Sequence, residues 1–178
     1  LTIDRRWWRH IKMALCWLQQ FDPNGKHISP WRMILEGLLL TLPASERYKV
    51  AINLHLGEHS QSRMGQFAIA QTRIESVLNQ SQNPSQIVTV LNTYDLPFLI
   101  EVAALSPFPL RQKIWRYLQD WQWIKPLLTG ADLIQLGYNP GPQFKTILET
   151  ILAATLDGEI QTRTEAIASI HQQFPLNP

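Results

Sequence analysis

Apolar residues recur at intervals of three and four along nearly the whole chain, and the alternation that marks strands is almost absent. In the first stretch Trp7, Ile11, Ala14, Leu15, Leu18 and Phe21 fall on one stripe, with Arg5, Arg6, Arg9 and Lys12 on the opposite face. This predicts a helix over residues 4–21, closed by the turn signal "DPNG". Pro30 suits a first helical position and Pro43 a stop, so a second helix is expected over 30–42. Ser45 is placed to cap a third, which ends near Gly57. A longer polar-faced helix follows over 63–79, and the loop "QSQNPS" marks the nearest thing to a subdomain boundary. Further helices are expected over 84–93, 96–105, 106–123, 142–156 and 163–174. The sum is an all-α chain, compact, of roughly nine or ten short helices on short links. No repeat of solenoid length and no low-complexity segment is visible.

Bulk composition narrows the chemistry. The 178 residues are 45% hydrophobic with a formal net charge of only +2. That weakly basic balance permits nucleic-acid binding without requiring it; the position of the charge decides. The single cysteine, Cys16, excludes a disulfide framework and a cysteine metal site. It fits a reducing, cytoplasmic setting, and its place among Trp and Leu suggests packing. No apolar run approaches the ~18 residues of a membrane span. The longest, "MILEGLLLTL", is broken by Glu36 and Gly37 and suits a buried helix. The chain opens at Leu1 without a signal peptide, as expected of a piece of a longer protein.

One segment spells a catalytic pattern. His55, Glu58 and His59 form H-x-x-E-H, the inverted zinc-peptidase motif. Its chemistry needs both histidines on one helical face, with the glutamate activating water. Gly57 between them weakens such a helix by about 1 kcal/mol. The competing expectation is a helix end at "LG", with His55 in the last turn and no metal. No D-x-D pair, Gly-rich phosphate loop or nucleophile elbow is present.

The densest punctuation is "LTGADLIQLGYNPGP", residues 128–142. Thr129 and Asp132 have the spacing of a capping box, and Gly137 suits a left-handed stop. Pro140 and Pro142 keep Asn139 and Gly141 out of the helical basin. Pro142 then opens the next helix, whose free donors are the amides of Gln143 and Phe144. The shape resembles a helix-hairpin-helix, and such a helix start is a ready phosphate site. A plain helix–helix corner is the alternative. Thr162 and Glu165 form a second capping box.

The run "WQWIKPLLTGADLIQLGYNPGPQFKTIL", followed by "AATLDGEIQTRTEA", resembles the C-terminal region of bacterial tRNA nucleotidyltransferases, the family of CCA-adding and A-adding enzymes and poly(A) polymerases. Its anchors are Gly130, Asp132, Leu133, Gly137, Pro140, Gly141, Pro142, Ile147, Leu148, Asp157, Gly158 and Glu165, and the likeness is strong over about 121–168. The resemblance implies helical body and tail without the N-terminal catalytic head. Residues 1–83 would be body, and 84–178 an RNA-binding body and tail. No residue inherits a catalytic role, so the chain alone is expected to be inactive. Mg and nucleoside triphosphates would belong to the absent head, with no cofactor or metal held here. The partners implied are tRNA along its acceptor and TΨC side, or another RNA, and the protein's own head; no membrane is expected.

Candidate contacts sit on and around the corner. On "LRQKIWRYLQDW", Leu110, Ile114, Leu118 and Trp121 make the expected buried stripe, with Lys113, Arg116, Gln112 and Gln119 opposite. Lys113 and Arg116 would meet phosphates, joined by Lys125, Gly141, Gln143 and Lys145 at the corner. Trp123, off the stripe, either packs under the corner or stacks on a base or ribose. The competing function is a helical protein-interaction or homodimerisation module using the Trp-rich first helix, without RNA binding.

Overall fold

The stripes become helices at nearly every expected place. The computed structural model describes residues 5–175, apart from the Arg6 side chain. Asp4 and the place of Arg6 on the basic face therefore lie outside the described residues. Among these residues the chain is all-helical: α1 (Arg5–Phe21), α2 (Pro30–Leu39), α3 (Ala44–Asn53), α4 (Glu58–Gln80), α5 (Pro84–Leu91), α6 (Leu96–Leu105), α7 (Phe108–Gln119), a 3-10 turn (Trp121–Trp123), α8 (Gly130–Gln135), α9 (Pro142–Leu156) and α10 (Arg163–Gln173).

The largest core gathers α1, α2 and α4 to α7, with Leu156 of α9. Its centre is α6, where every residue from Pro97 to Ala104 is buried. Asp95 starts α6 by accepting the Phe98 amide at 3.1 Å. Trp17, Phe21 and Trp115 join α1 to α7 edge-on. At Gly37 the Ile11 side chain of α1 packs directly onto the α2 backbone: a Cβ there would lie 2.5 Å from Ile11 Cδ1. The Trp7 indole N–H donates to the Gly37 carbonyl at 3.1 Å across that contact.

A second core sits under the corner: Leu128, Leu133, Tyr138, Ile147, Ile151, Ile160, Ala166 and Ile170. It is tied to the first through Asp157 at the end of α9. The Asp157 carboxylate accepts the Ser85 amide at 2.8 Å and its hydroxyl at 2.6 Å. An exposed helix start, that of α5, is thus capped from another element.

Glu36, which interrupts the apolar run of α2, is wholly buried. Arg63 of α4 answers it with two bonds, Nε to Oε2 at 2.8 Å and Nη2 to Oε1 at 2.7 Å. The third arm, Nη1, donates to Asp95 at 2.6 Å, and the Ser60 hydroxyl donates to Glu36 at 2.5 Å. Burial alone would favour a neutral guanidinium, but Glu36 and then Asp95 more than offset it and hold Arg63 firmly charged. Removing one partner of such a pair strands a buried charge. Arg63→Met is expected to cost about 3–5 kcal/mol in urea unfolding, and the double change with Glu36→Leu to recover most of it.

Glu101 of α6 is buried nearby, and neither carboxyl oxygen makes a hydrogen bond among the described residues. Burial pushes its carboxyl well above the usual carboxylate range, and the Glu36 charge adds to this. The folded state therefore holds this proton more tightly than the unfolded chain. The stability that follows is full below the ordinary value of 4.5 and falls as pH rises toward the folded value. Glu101→Gln cannot ionise. Its stability relative to the parent should climb as pH rises above the ordinary carboxyl value of 4.5 in parallel urea titrations.

Among the described residues no single helix is long and apolar enough to cross a membrane. The apolar pair α5 and α6 is bent by 118° and contributes to the main core.

Candidate nucleic-acid interface

The corner is built by local chemistry, as its sequence predicts. Thr129 accepts the Asp132 amide, and Asp132 accepts the Thr129 amide at 2.7 Å and hydroxyl at 2.8 Å. Arg163, the first residue of α10, donates to the other oxygen of Asp132 at 2.5 Å. The starts of α8 and α10 are thereby stapled side by side. The Arg163 guanidinium, then the Thr129 hydroxyl and amide, hold the Asp132 carboxyl far below the usual carboxylate range. Thr162 and Glu165 close the second capping box.

Gly137 ends α8 at φ 90°, which L residues rarely adopt. Its amide reaches Ile134 O and that of Tyr138 reaches Leu133 O, both at 3.0 Å, a Schellman closure. Tyr138 is buried and donates its hydroxyl to Phe174 O at 2.8 Å. The chain then runs out through exposed Asn139, Pro140, Gly141 and Pro142, with Gly141 extended. Of the two expected free amides only that of Gln143 makes no bond among the described residues. The Phe144 amide turns back to Gly141 O at 3.0 Å, tightening the first turn. Lys145 is exposed and 3.8 Å from Glu149 one turn on.

On α7 the candidate cations part company. Arg116 is exposed, as is Lys125 beyond the 3-10 turn. Lys113 does not project into solvent. Its ammonium donates to Leu78 O at 2.6 Å and Ser81 O at 2.9 Å, closing the end of α4. The cation meets the negative end of the longest helix, a placement the α7 stripe alone cannot show. Lys113→Ala should lower unfolding stability by about 1–2 kcal/mol in urea titration, whatever it does to RNA affinity.

Other expectations are corrected. The last turns of the long α7 helix fold as the separate 3-10 turn, and Tyr117 rather than Trp121 completes the buried stripe. Trp123 is not packed under the corner: it is 69% exposed. Cys16 is exposed on α1 rather than packed. Pro43, not Ser45, precedes α3. The H-x-x-E-H histidines do not share a helix. α3 stops at Asn53, and His55 sits at φ 52°, where a glycine stop is more usual. Histidine is among the side chains that tolerate this region. Gly57 instead starts α4 at Glu58, five residues ahead of the expected start. No group of three or more His, Cys, Asp and Glu able to hold a metal occurs among the described residues.

The sequence hid one positioning residue. Asp22, read only as part of a turn, is buried and accepts the amides of Lys26, His27 and Ile28 at 2.7, 2.8 and 3.2 Å. Burial raises its carboxyl, but the His27, Lys26 and Ile28 amides prevail and leave it below the usual range. This fixes the loop that presents Lys26 and His27 to solvent. The signal available was an Asx residue opening "DPNG".

Two curated proteins match the chain. An A-adding tRNA nucleotidyltransferase of Geobacter sulfurreducens is 22% identical over 162 residues, covering 87% of this chain and 18% of that protein. Another, from Halalkalibacterium halodurans, is 36% identical over 72 residues, covering 40% of this chain and 17% of that protein. The chain is similar to A-adding tRNA nucleotidyltransferases. The matched segments thus span less than a fifth of the length of either relative. No protein-family model and no solved structure matches the chain.

Proposed function

We propose that this chain is the tRNA-holding body and tail of a tRNA nucleotidyltransferase, with the chemistry carried by a head outside this sequence. The observation that carries the reading is the likeness of 87% of the chain to a protein of that name. The names of both relatives favour an A-adding parent over a CCA-adding enzyme or a poly(A) polymerase. The parent would work in the cytoplasm, with Mg and nucleoside triphosphates bound by its head.

Residues 84–178 would carry the contact. Phosphates of the acceptor and TΨC side would lie across Arg116 and Lys125 toward the corner, where Gly141 allows close approach. The open amide of Gln143 and the ammonium of Lys145 stand at the start of α9, the end of a helix that favours anions. Lys113 would serve by holding α4 against α7. A duplex stem read by shape requires no base contacts from these groups.

Binding of the chain to a tRNA transcript and to a random single-stranded RNA of equal length, across a salt series, tests this. Tighter binding to tRNA is expected. Arg116→Ala and Lys145→Ala should each lower the slope of log affinity against log salt by about one. Equal and feeble binding to both RNAs would overturn the reading. With a concentration-dependent mass in light scattering, that result would favour the dimerisation module. Nucleotide incorporation by the purified chain would also contradict it.

A further inference from the structure

Trp123 is large, apolar and exposed, yet it is not loose. Its indole N–H donates to Leu118 O at 3.3 Å, and the Gln122 amide nitrogen donates to the same carbonyl at 2.5 Å. The 3-10 turn therefore folds both side chains back over the last turn of α7. Exposed aromatics such as Phe108 or Trp31 occur singly on many surfaces and need no explanation. Trp123 differs because it forms one wall of a hollow of about 410 Å³, in the size range of small-ligand sites.

The lining of that hollow has a consistent chemistry. Gln20 from α1, Gln119 from α7 and Gln122 bring three side-chain amides to it. The Gln20 and Gln119 amides and the Gln122 carbonyl oxygen make no hydrogen bond among the described residues. An amide offers a donor pair and an acceptor, the complement of a base edge. Phe21 and His27 add aromatic surface. There is no carboxylate among the lining residues.

A second hollow, about 370 Å³, adjoins it and shares His27. Lys26, Arg32 and His59 line it, and the buried Nε of Arg32 makes no hydrogen bond among the described residues. Arg63 and Asp95 also border it, and they are paired with each other, Arg63 being bound by Glu36 as well. The Asp22-held loop carries His27, which lines both hollows, and is fixed by three amide bonds. One side thus offers a stacking face with amides and the other offers cations.

We infer that these adjacent hollows form a subsite for an unpaired nucleotide of an RNA strand, its base stacked on Trp123 and read by the glutamine amides, its phosphate directed toward Lys26 and Arg32. Stacking of this kind tolerates any base, and its strength is set by the aromatic face. The inference rests on the RNA-holding role proposed above. It adds a single-stranded contact on the α1–α7 side, separate from the duplex contact at the corner.

The test uses the full chain, a fluorescein-labelled adenylate decamer and a blunt RNA duplex. Trp123→Ala should weaken decamer binding by about fivefold or more, while Trp123→Phe, which keeps a stacking ring, should remain within about twofold of the parent. Duplex affinity should be unchanged by either. Trp123 is largely exposed, so both variants should keep the parent's melting temperature, which is checked by circular dichroism. Lys26→Ala should lower the salt slope for the decamer and leave that for the duplex alone. Decamer binding indifferent to Trp123 would overturn the subsite, and it would leave the tRNA reading standing if tRNA still binds through Arg116 and Lys145. Decamer binding that depends on Trp123, with no preference for tRNA, would support the subsite and overturn the tRNA reading. Binding of neither RNA would overturn both.

Discussion

The fold turns on the guanidinium of Arg63. From α4 it reaches both α2 and the start of α6, through Glu36 and Asp95. A buried ion pair adds little net stability over a well-packed apolar pair. What it adds here is register. Three hydrogen bonds in a planar fork allow one rotation of α4 against α2, whereas apolar contacts would allow several. Asp95 transmits the constraint, since the same carboxylate that receives Arg63 also starts α6. Leu96, the next residue, borders the Trp123 hollow, and Pro97 borders its neighbour. Arg63 and Asp95 themselves line the second hollow, so the ion pair forms part of its wall.

The corner obeys a different logic. Its core is small, and its helices are short enough that packing alone would hold them weakly. Local chemistry compensates. Two capping boxes, two Schellman closures at Gly137 and Gly158, and the Asp132–Arg163 bond define the chain path. The caps and closures depend on neighbours in sequence, which is why this region carries the recognisable residue pattern; only the Asp132–Arg163 bond, 31 residues apart, among these is non-local. Asp157 shows the same economy between cores, ending α9 and capping α5.

That contrast explains what could be read from the sequence. The bounds of α6 and α9 and both capping boxes were legible because proline, aspartate, threonine and glycine act within a turn of themselves. The break between α3 and α4 was not, because His55 took the left-handed position and freed Gly57 to open a helix. The faces of Lys113, Cys16 and Trp123 were not legible either. A helical stripe identifies one buried face. It does not reveal that α4 ends beside Lys113, or that α7 yields to a 3-10 turn before Trp123. Glu36 and Arg63 lie 27 residues apart, and no local pattern pairs them.

The distribution of charge limits how such a surface would hold RNA. The sequence has 16 Lys and Arg, but the structure commits several inward. Arg47 closes the end of α2 through Leu40 O and Leu42 O, and Arg111 donates to Ser106 O. Arg63 and Lys113 are bound as described, and Arg163, though exposed, is paired with Asp132. The cations left facing solvent, such as Arg9, Lys12, Arg116 and Lys125, are spread over several elements rather than massed on one. A field this dispersed supplies attraction and little grip, and salt weakens it. Contacts that do not depend on net charge must then share the work. The free Gln143 amide at the corner and an anchored aromatic face beside free side-chain amides are the two kinds this fold provides.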